Sequence, residues 1–274
     1  MALDKSRPGL FFLVGPLRTG SSLLTRCIDD HPRAMCLCES EINRALFKAY
    51  YVALHYWRMR RHGLTAEEIC LFLDQLEQDD VASLMRWFPR VAPRMSALYD
   101  KPNPLMFGDK SPDYFRSPDI VGHLAARYPL IYTVRDPRAI LASIERQADA
   151  SADEKKLRWE WLSQNYTVWK PYLEAPNLLV VNYEHLIATP ETTMESVYAH
   201  LGLAYSWRFL SNYRRPHPGR FLWTTSVDLE TGVVKDLDPG RLSSWKTSLT
   251  DEQLDRVYSN ATVVDFMKRF GYEI

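Results

Sequence analysis

Two short segments carry the residues that could do chemistry. The first is Gly15-Pro16-Leu17-Arg18-Thr19-Gly20-Ser21-Ser22, a glycine-bracketed turn between the apolar run Leu10 to Val14 and a helix-like pattern. Strand, glycine turn and helix in that order aim backbone N–H groups and the positive end of a helix dipole at one point, where a phosphate is favoured. Gly15 and Gly20 permit close backbone approach, and Ser21 and Ser22 add hydroxyl donors. The spacing nearly fits G-x-x-x-x-G-K-[ST], but Ser21 stands where the lysine would be and Arg18 is the loop's one cation. ATP or GTP hydrolysis, which leans on that lysine and on magnesium, is disfavoured. Taken alone, the loop also fits an ordinary strand-to-helix turn with an exposed arginine.

The second segment is Ile131-Tyr132-Thr133-Val134-Arg135-Asp136-Pro137-Arg138. It places Arg135 at the carboxyl end of a strand, the edge at which open α/β sheets bind ligands. Ser143 follows eight residues later, about two helical turns on. Arg135 can hold a phosphate as a fork of donors. Two plainer readings stay open here: Asp136 and Arg138 form a local ion pair, and Ser143 is a helix-surface hydroxyl. Together the two segments ask for a ligand with phosphates at two ends and no obligatory metal.

These residues need elements to hold them. Short apolar runs bounded by turn residues predict strands at Leu10 to Val14, Ala34 to Cys38, Leu105 to Gly108, Leu130 to Val134 and Asn177 to Val181. Helical patterns are expected near Ser21 to Asp30, Ile42 to Arg61, from the capping-box sequence at Thr65, and over Pro112 to Arg127, Glu154 to Leu173, Pro190 to Leu201 and Thr250 to Phe270. Pro137 suits the first turn of a helix. Strands alternating with helices imply an α/β fold, a mainly parallel central sheet flanked by helices. One domain is expected, with a helical or irregular insertion at 41–104.

Bulk properties narrow the function. Of 274 residues 46% are hydrophobic, enough for a sizeable core. Lys plus Arg equals Asp plus Glu at 34 each, so no global pull toward nucleic acid or anionic membrane exists. Anion binding must come from local clustering. Cys27, Cys36, Cys38 and Cys70 lack the pairing of a zinc site and read as small buried thiols of a reducing compartment. No run is long enough to span a bilayer and no signal-peptide layout is present. A cytoplasmic protein is expected.

At this point the chain resembles the sulfotransferases that use 3′-phosphoadenosine 5′-phosphosulfate (PAPS) and release adenosine 3′,5′-bisphosphate (PAP). Pro16 to Leu24 is similar to their 5′-phosphosulfate loop, which implies donor contacts from Arg18, Thr19, Gly20, Ser21, Ser22 and Leu23. The arginine form is similar to tyrosylprotein and many bacterial members. Val134 to Ala139 with Ser143 resembles the 3′-phosphate motif. Asp30-His31-Pro32 followed by Glu39 resembles the stretch carrying a catalytic glutamate. Gly108-Asp109-Lys110-Ser111-Pro112 resembles the segment supplying an active-site lysine. Leu242-Ser243-Ser244-Trp245-Lys246 resembles the C-terminal loop that closes over the cofactor. Asn182-Tyr183-Glu184-His185-Leu186 matches a structural strand-end motif.

The resemblance implies a P-loop-like sulfotransferase fold and in-line transfer to a hydroxyl or amine. Arg18, Lys110 and Ser243 would stabilise charge on the leaving group. Glu39 is the candidate base, with Glu41 and His217 as alternatives, while His31 reads as structural. Trp159 and Trp161 fit either adenine stacking or helix packing. The tyrosylprotein enzymes carry a membrane anchor that this sequence does not show. The expected acceptor is a small molecule or a carrier-bound group.

Overall fold

The computed structural model describes residues 9–38, 65, 104–206 and 239–274. The predicted helix over Ile42 to Arg61, most of the insertion at 41–104, and Glu39, Glu41 and His217 lie outside the described residues. Five parallel strands form one sheet in the order β2-β3-β1-β4-β5: β1 (Gly9–Val14), β2 (Ala34–Cys38), β3 (Met106–Lys110), β4 (Leu130–Val134) and β5 (Leu178–Asn182). The expectation of a mainly parallel α/β sheet is met, every described pairing being parallel. Buried on both faces, β1 and β4 are near-continuous apolar runs.

Helix α1 (Ser21–Asp29) packs on one face with Phe11, Leu13, Cys36 and Ile131. The other face carries Phe12, Val14, Phe107 and Tyr132. Against it lie α2 (Pro118–Arg127), α3 (Pro137–Glu145) and α4 (Ala152–Trp169). After β5 come α5 (Tyr183–Ala188) and α6 (Pro190–His200). The C-terminal part holds the short α7 (Gly240–Ser243) and α8 (Trp245–Ser248), then α9 (Asp251–Tyr258) and α10 (Ala261–Phe270). From β1 the chain leaves toward β2 on one side, and β4 joins β1 on the other. The order therefore reverses between β1 and β4, a crevice suited to ligands.

Three predicted helices divide. Pro112 to Arg127 is a 3-10 turn (Pro112–Arg116) and then α2. Pro118 forces Ser117 into extended backbone at φ −124°, ψ 91°. Glu154 to Leu173 begins earlier, at a Ser151–Glu154 capping box, and tightens into a 3-10 turn at Lys170–Tyr172, where Pro171 removes a backbone donor. Thr250 to Phe270 breaks at Asn260, whose side chain accepts from the N–H groups of Thr262 and Val263 and starts α10. Two strands sit further along than expected, so that Asp109 and Lys110 belong to β3 and Asn182 closes β5. Among the described residues no helix is long and apolar enough to cross a membrane.

Gly108 pairs in register with Phe11, and the Phe11 ring lies across it. A β-carbon at Gly108 would come 2.2 Å from Cζ of that ring. Gly108→Ala should therefore lower unfolding stability by about 1–3 kcal/mol through overpacking, and Phe11→Leu in the same chain should recover part of the loss. Chemical denaturation of the three proteins checks this; an unperturbed Gly108→Ala midpoint counts against the packing described.

Candidate active site

The turn after β1 leaves the sheet at Gly15, where φ is 123° and a β-carbon would lie 2.6 Å from the Thr133 carbonyl oxygen, which bars any side chain. It enters α1 through Gly20 at φ 79°, where a β-carbon would lie 2.3 Å from the Tyr183 ring. Thr19 faces the sheet. Its Oγ1 is 2.9 Å from the Pro16 carbonyl and 2.6 Å from Oγ1 of Thr133, which donates to the Val14 carbonyl. The loop after β1 is thus fastened to β4. The Thr19 hydroxyl is thus engaged within the protein. Ser21, Ser22 and Leu23 form the first turn of α1.

Arg135 follows β4 directly. Its Nη1 donates to the Arg18 carbonyl at 3.1 Å and its Nη2 to the Arg241 carbonyl at 3.3 Å. The guanidinium stacks 4.2 Å from the Tyr183 ring centroid. Among the described residues its buried Nε has no hydrogen-bond partner. Ser143 is 7% exposed on α3, and its Oγ accepts from Arg18 Nε at 2.9 Å. The surface-hydroxyl reading of Ser143 is thereby set aside. The Asp136–Arg138 ion pair is present, at 2.7 Å.

Beside these groups opens a cleft of about 710 Å³. Arg18, Ser143, Arg146, Gln147, Arg158, Arg241 and Ser244 supply its polar chemistry, and Asp149 is the one acid among its described lining residues. Burial, and then the charges of Arg135, Arg158, Arg146 and Arg241, push the Arg18 guanidinium below its ordinary value. It nonetheless stays charged, because arginine does not deprotonate in proteins. Burial likewise lowers Arg135, partly offset by Tyr183 and Glu184. A wall of like charge favours an anion that would neutralise it.

Lys110 is buried at the carboxyl end of β3, in register with Leu13, and so lies on the α1 side at the level where β1 ends. Of the C-terminal loop, Ser244 lines the cleft, while Ser243, Trp245 and Lys246 stand outside the described wall. His31 has a structural part: Arg33 N–H donates to its Nδ1 and its Nε2 meets the Ala204 carbonyl, both at 3.0 Å. Trp159 is core and Trp161 packs on Phe115 and Arg116, so neither ring lines the cleft. Burial lifts the Cys27 thiol to about 12, in keeping with an inert side chain. Among the described residues no cluster of side chains could hold a metal ion.

The profile of the family described as "Sulfotransferase family" matches residues 8–207. The chain belongs to the sulfotransferase family. A Caenorhabditis briggsae protein with a provisional protein-tyrosine sulfotransferase name is 23% identical, covering 96% of this chain and 89% of its own length. Two solved structures share the fold. The sulfotransferase domain from the curacin biosynthetic pathway has a TM-score of 0.61 at 18% identity, covering 97% of this chain and 99% of that one. The sulfotransferase domain of the Synechococcus PCC 7002 olefin synthase has a TM-score of 0.59 at 20% identity, covering 98% and 96%.

In this sulfotransferase the strand-end motif supports the loops after β1 and β4. Glu184 accepts from the Asp136 N–H at 3.0 Å and from the Tyr272 hydroxyl at 3.0 Å, and Asn182 donates to Tyr272 at 2.8 Å. Burial, then Glu184, raises the Tyr272 phenol far above its ordinary range, keeping it a donor. Sequence reasoning missed Arg146, Gln147, Arg158 and Arg241. Arg146 had a local signal, standing three residues beyond Ser143 on one helical face. Arg158 sits on α4 and had none.

Tyr183 supports Gly20 on one side and Arg135 on the other. Tyr183→Ala should lose about 3–5 kcal/mol of stability, whereas Tyr183→Phe, which keeps the ring, should stay within about 1 kcal/mol of the parent. Urea unfolding distinguishes them; equal losses in both would show that the hydroxyl, not the ring, is the support.

Proposed function

We propose that this sulfotransferase moves a sulfuryl group from PAPS to a hydroxyl or amine of a small-molecule or carrier-bound acceptor, by in-line transfer without a required metal. The observation that carries the donor reading is the cationic cleft joining the two anion loops, where Arg18 reaches Ser143 and Arg135 holds Arg18. The unpartnered Nε of Arg135 fits one further acceptor oxygen.

When bound, the donor supplies an activated sulfuryl group on a phosphate leaving group. Loop residues 18–23 would bind the 5′ end through backbone N–H groups and hydroxyls. Arg135, Ser143 and Ser244, with Arg146 and Arg241, would bind the 3′-phosphate, and Trp245 and Lys246 would flank it. Arg18, Lys110 and Ser243 would stabilise charge building on the leaving oxygen. Glu39, outside the described residues, would take the acceptor's proton, a task a carboxylate performs when burial raises its pKa. The chain is read as one domain in which 41–104 shapes the acceptor side, and as a cytoplasmic enzyme.

Thermal unfolding tests the donor. Adenosine 3′,5′-bisphosphate should stabilise the protein, by about 2.7 kcal/mol at a hundredfold excess over Kd, and ATP with magnesium should not. Stabilisation by ATP with magnesium alone would replace this reading with a kinase. In assays with sulfur-labelled donor, Arg18→Ala and Lys110→Ala should each cut turnover about 10²–10³-fold. Glu39→Gln should abolish transfer while sparing bisphosphate binding. A near-normal rate in any of the three removes that residue from its role.

A further inference from the structure

Three arginines hold the turn that overhangs the cleft. Arg135 donates to the Arg241 carbonyl and Arg146 Nη1 to the Ser244 hydroxyl at 3.3 Å. Arg138 lies flat against Trp245, its guanidinium carbon 4.1 Å from the ring centroid. The first two belong to the anion site or touch it, so an arriving anion competes for their donors. Arg138 is different. It stands outside the described cleft wall, its Nε and Nη2 fork onto both carboxylate oxygens of Asp136 at 2.7–3.1 Å, and its Nη1 reaches the Tyr258 hydroxyl at 3.3 Å.

Asp136 is itself fixed. Its side chain accepts from the Arg138 N–H and so caps α3, and its own N–H donates to Glu184. Arg138 is thus a rigid ledge, 8% exposed, with its charge already matched. Paired with a carboxylate and set outside the described cleft wall, it can keep its hold on Trp245 whether or not the cleft is filled.

We propose that Arg138 is a positioning residue: clamped by Asp136 and covered by Trp245, it sets where the Gly240–Ser244 turn sits above the cationic cleft. Arg241 and Ser244 reach the cleft from that turn, and Trp245 anchors its far end. A lysine at 138 would keep the charge but lose both the fork and the flat stacking face. Trp245→Phe would keep a face for the guanidinium.

Hydrogen exchange of the full chain without ligand tests the clamp. Arg138→Lys and Trp245→Ala should each speed exchange in peptides covering 240–249 about tenfold, Trp245→Phe should restore near-parental exchange, and the rest of the chain should be unchanged. No change in that segment for Arg138→Lys, or a rise spread over the whole chain, overturns the proposal. A second arm rests on the donor reading. Arg138→Lys should weaken adenosine 3′,5′-bisphosphate binding and raise KM for the donor about tenfold, with the rate at saturating donor within about twofold. A fall in that rate at constant KM also overturns it. If the parent protein fails to bind the bisphosphate, the donor reading falls, and the exchange arm decides the clamp on its own.

Discussion

Five guanidinium groups, those of Arg18, Arg135, Arg146, Arg158 and Arg241, converge at the carboxyl ends of two adjacent strands. Much of the surrounding structure exists to keep them together without collapse of the site. Like charges at short range repel, and at reduced solvent exposure that repulsion is poorly screened. The chain as a whole has no net charge, so the concentration is local and built by topology. Segments far apart in sequence each contribute one cation: the loop after β1, the loop after β4, the end of α3, the start of α4 and the C-terminal turn. Uncharged acceptors carry much of the load, since the carbonyls of Arg18 and Arg241, the hydroxyls of Ser143 and Ser244, and Gln147 all take guanidinium hydrogens. Neutral partners fix geometry while leaving the positive potential in place for a ligand.

Asp149 is the one acid on the described wall of the cleft, and two nearby carboxylates are engaged elsewhere. Asp136 is matched to Arg138, away from the cleft, and Glu184 works through a backbone N–H and a phenol. Either acid pointed into the cleft would quench the field that draws an anion. The Tyr183 ring lies between Gly20 and Arg135, contributing an apolar wall and a π face for the cation. Positional control of the loops after β1 and β4 is therefore exerted from β5 and α5, elements that supply none of the cleft's described cations.

The strands were legible to within one or two residues because each contains a short apolar run, and β3 was missed at its end because Asp109 and Lys110 continue it past the apolar part. Helix boundaries were less so where a proline or a capping asparagine interrupts a continuing apolar period, as at Pro118, Pro171 and Asn260. Those signals are local and stand in the sequence. Arg158 is a different kind of miss. Its nearness to Arg18 follows from how α4 crosses the sheet, a tertiary fact with no local signature. Arg18, Arg135 and Ser143 were legible because the chemistry of a strand-to-helix turn dictates residue types at fixed spacing. Glu39 is a reading of sequence alone, since the described strand ends at Cys38.

Arg18 couples the backbone of the first loop to the second. Among the described residues it is the one non-glycine with positive φ, at 65°. Left-handed backbone costs an ordinary residue about 1–2 kcal/mol, and glycine would avoid that cost. Glycine would also remove the Nε–Ser143 hydrogen bond that joins the first loop to the second. The backbone bend and the side-chain reach are coupled: the strained conformation turns the Arg18 carbonyl to Arg135 while its guanidinium meets Ser143. The two loops are thus joined through one residue, by its carbonyl on one side and its side chain on the other, so that a change at either contact acts on both loops.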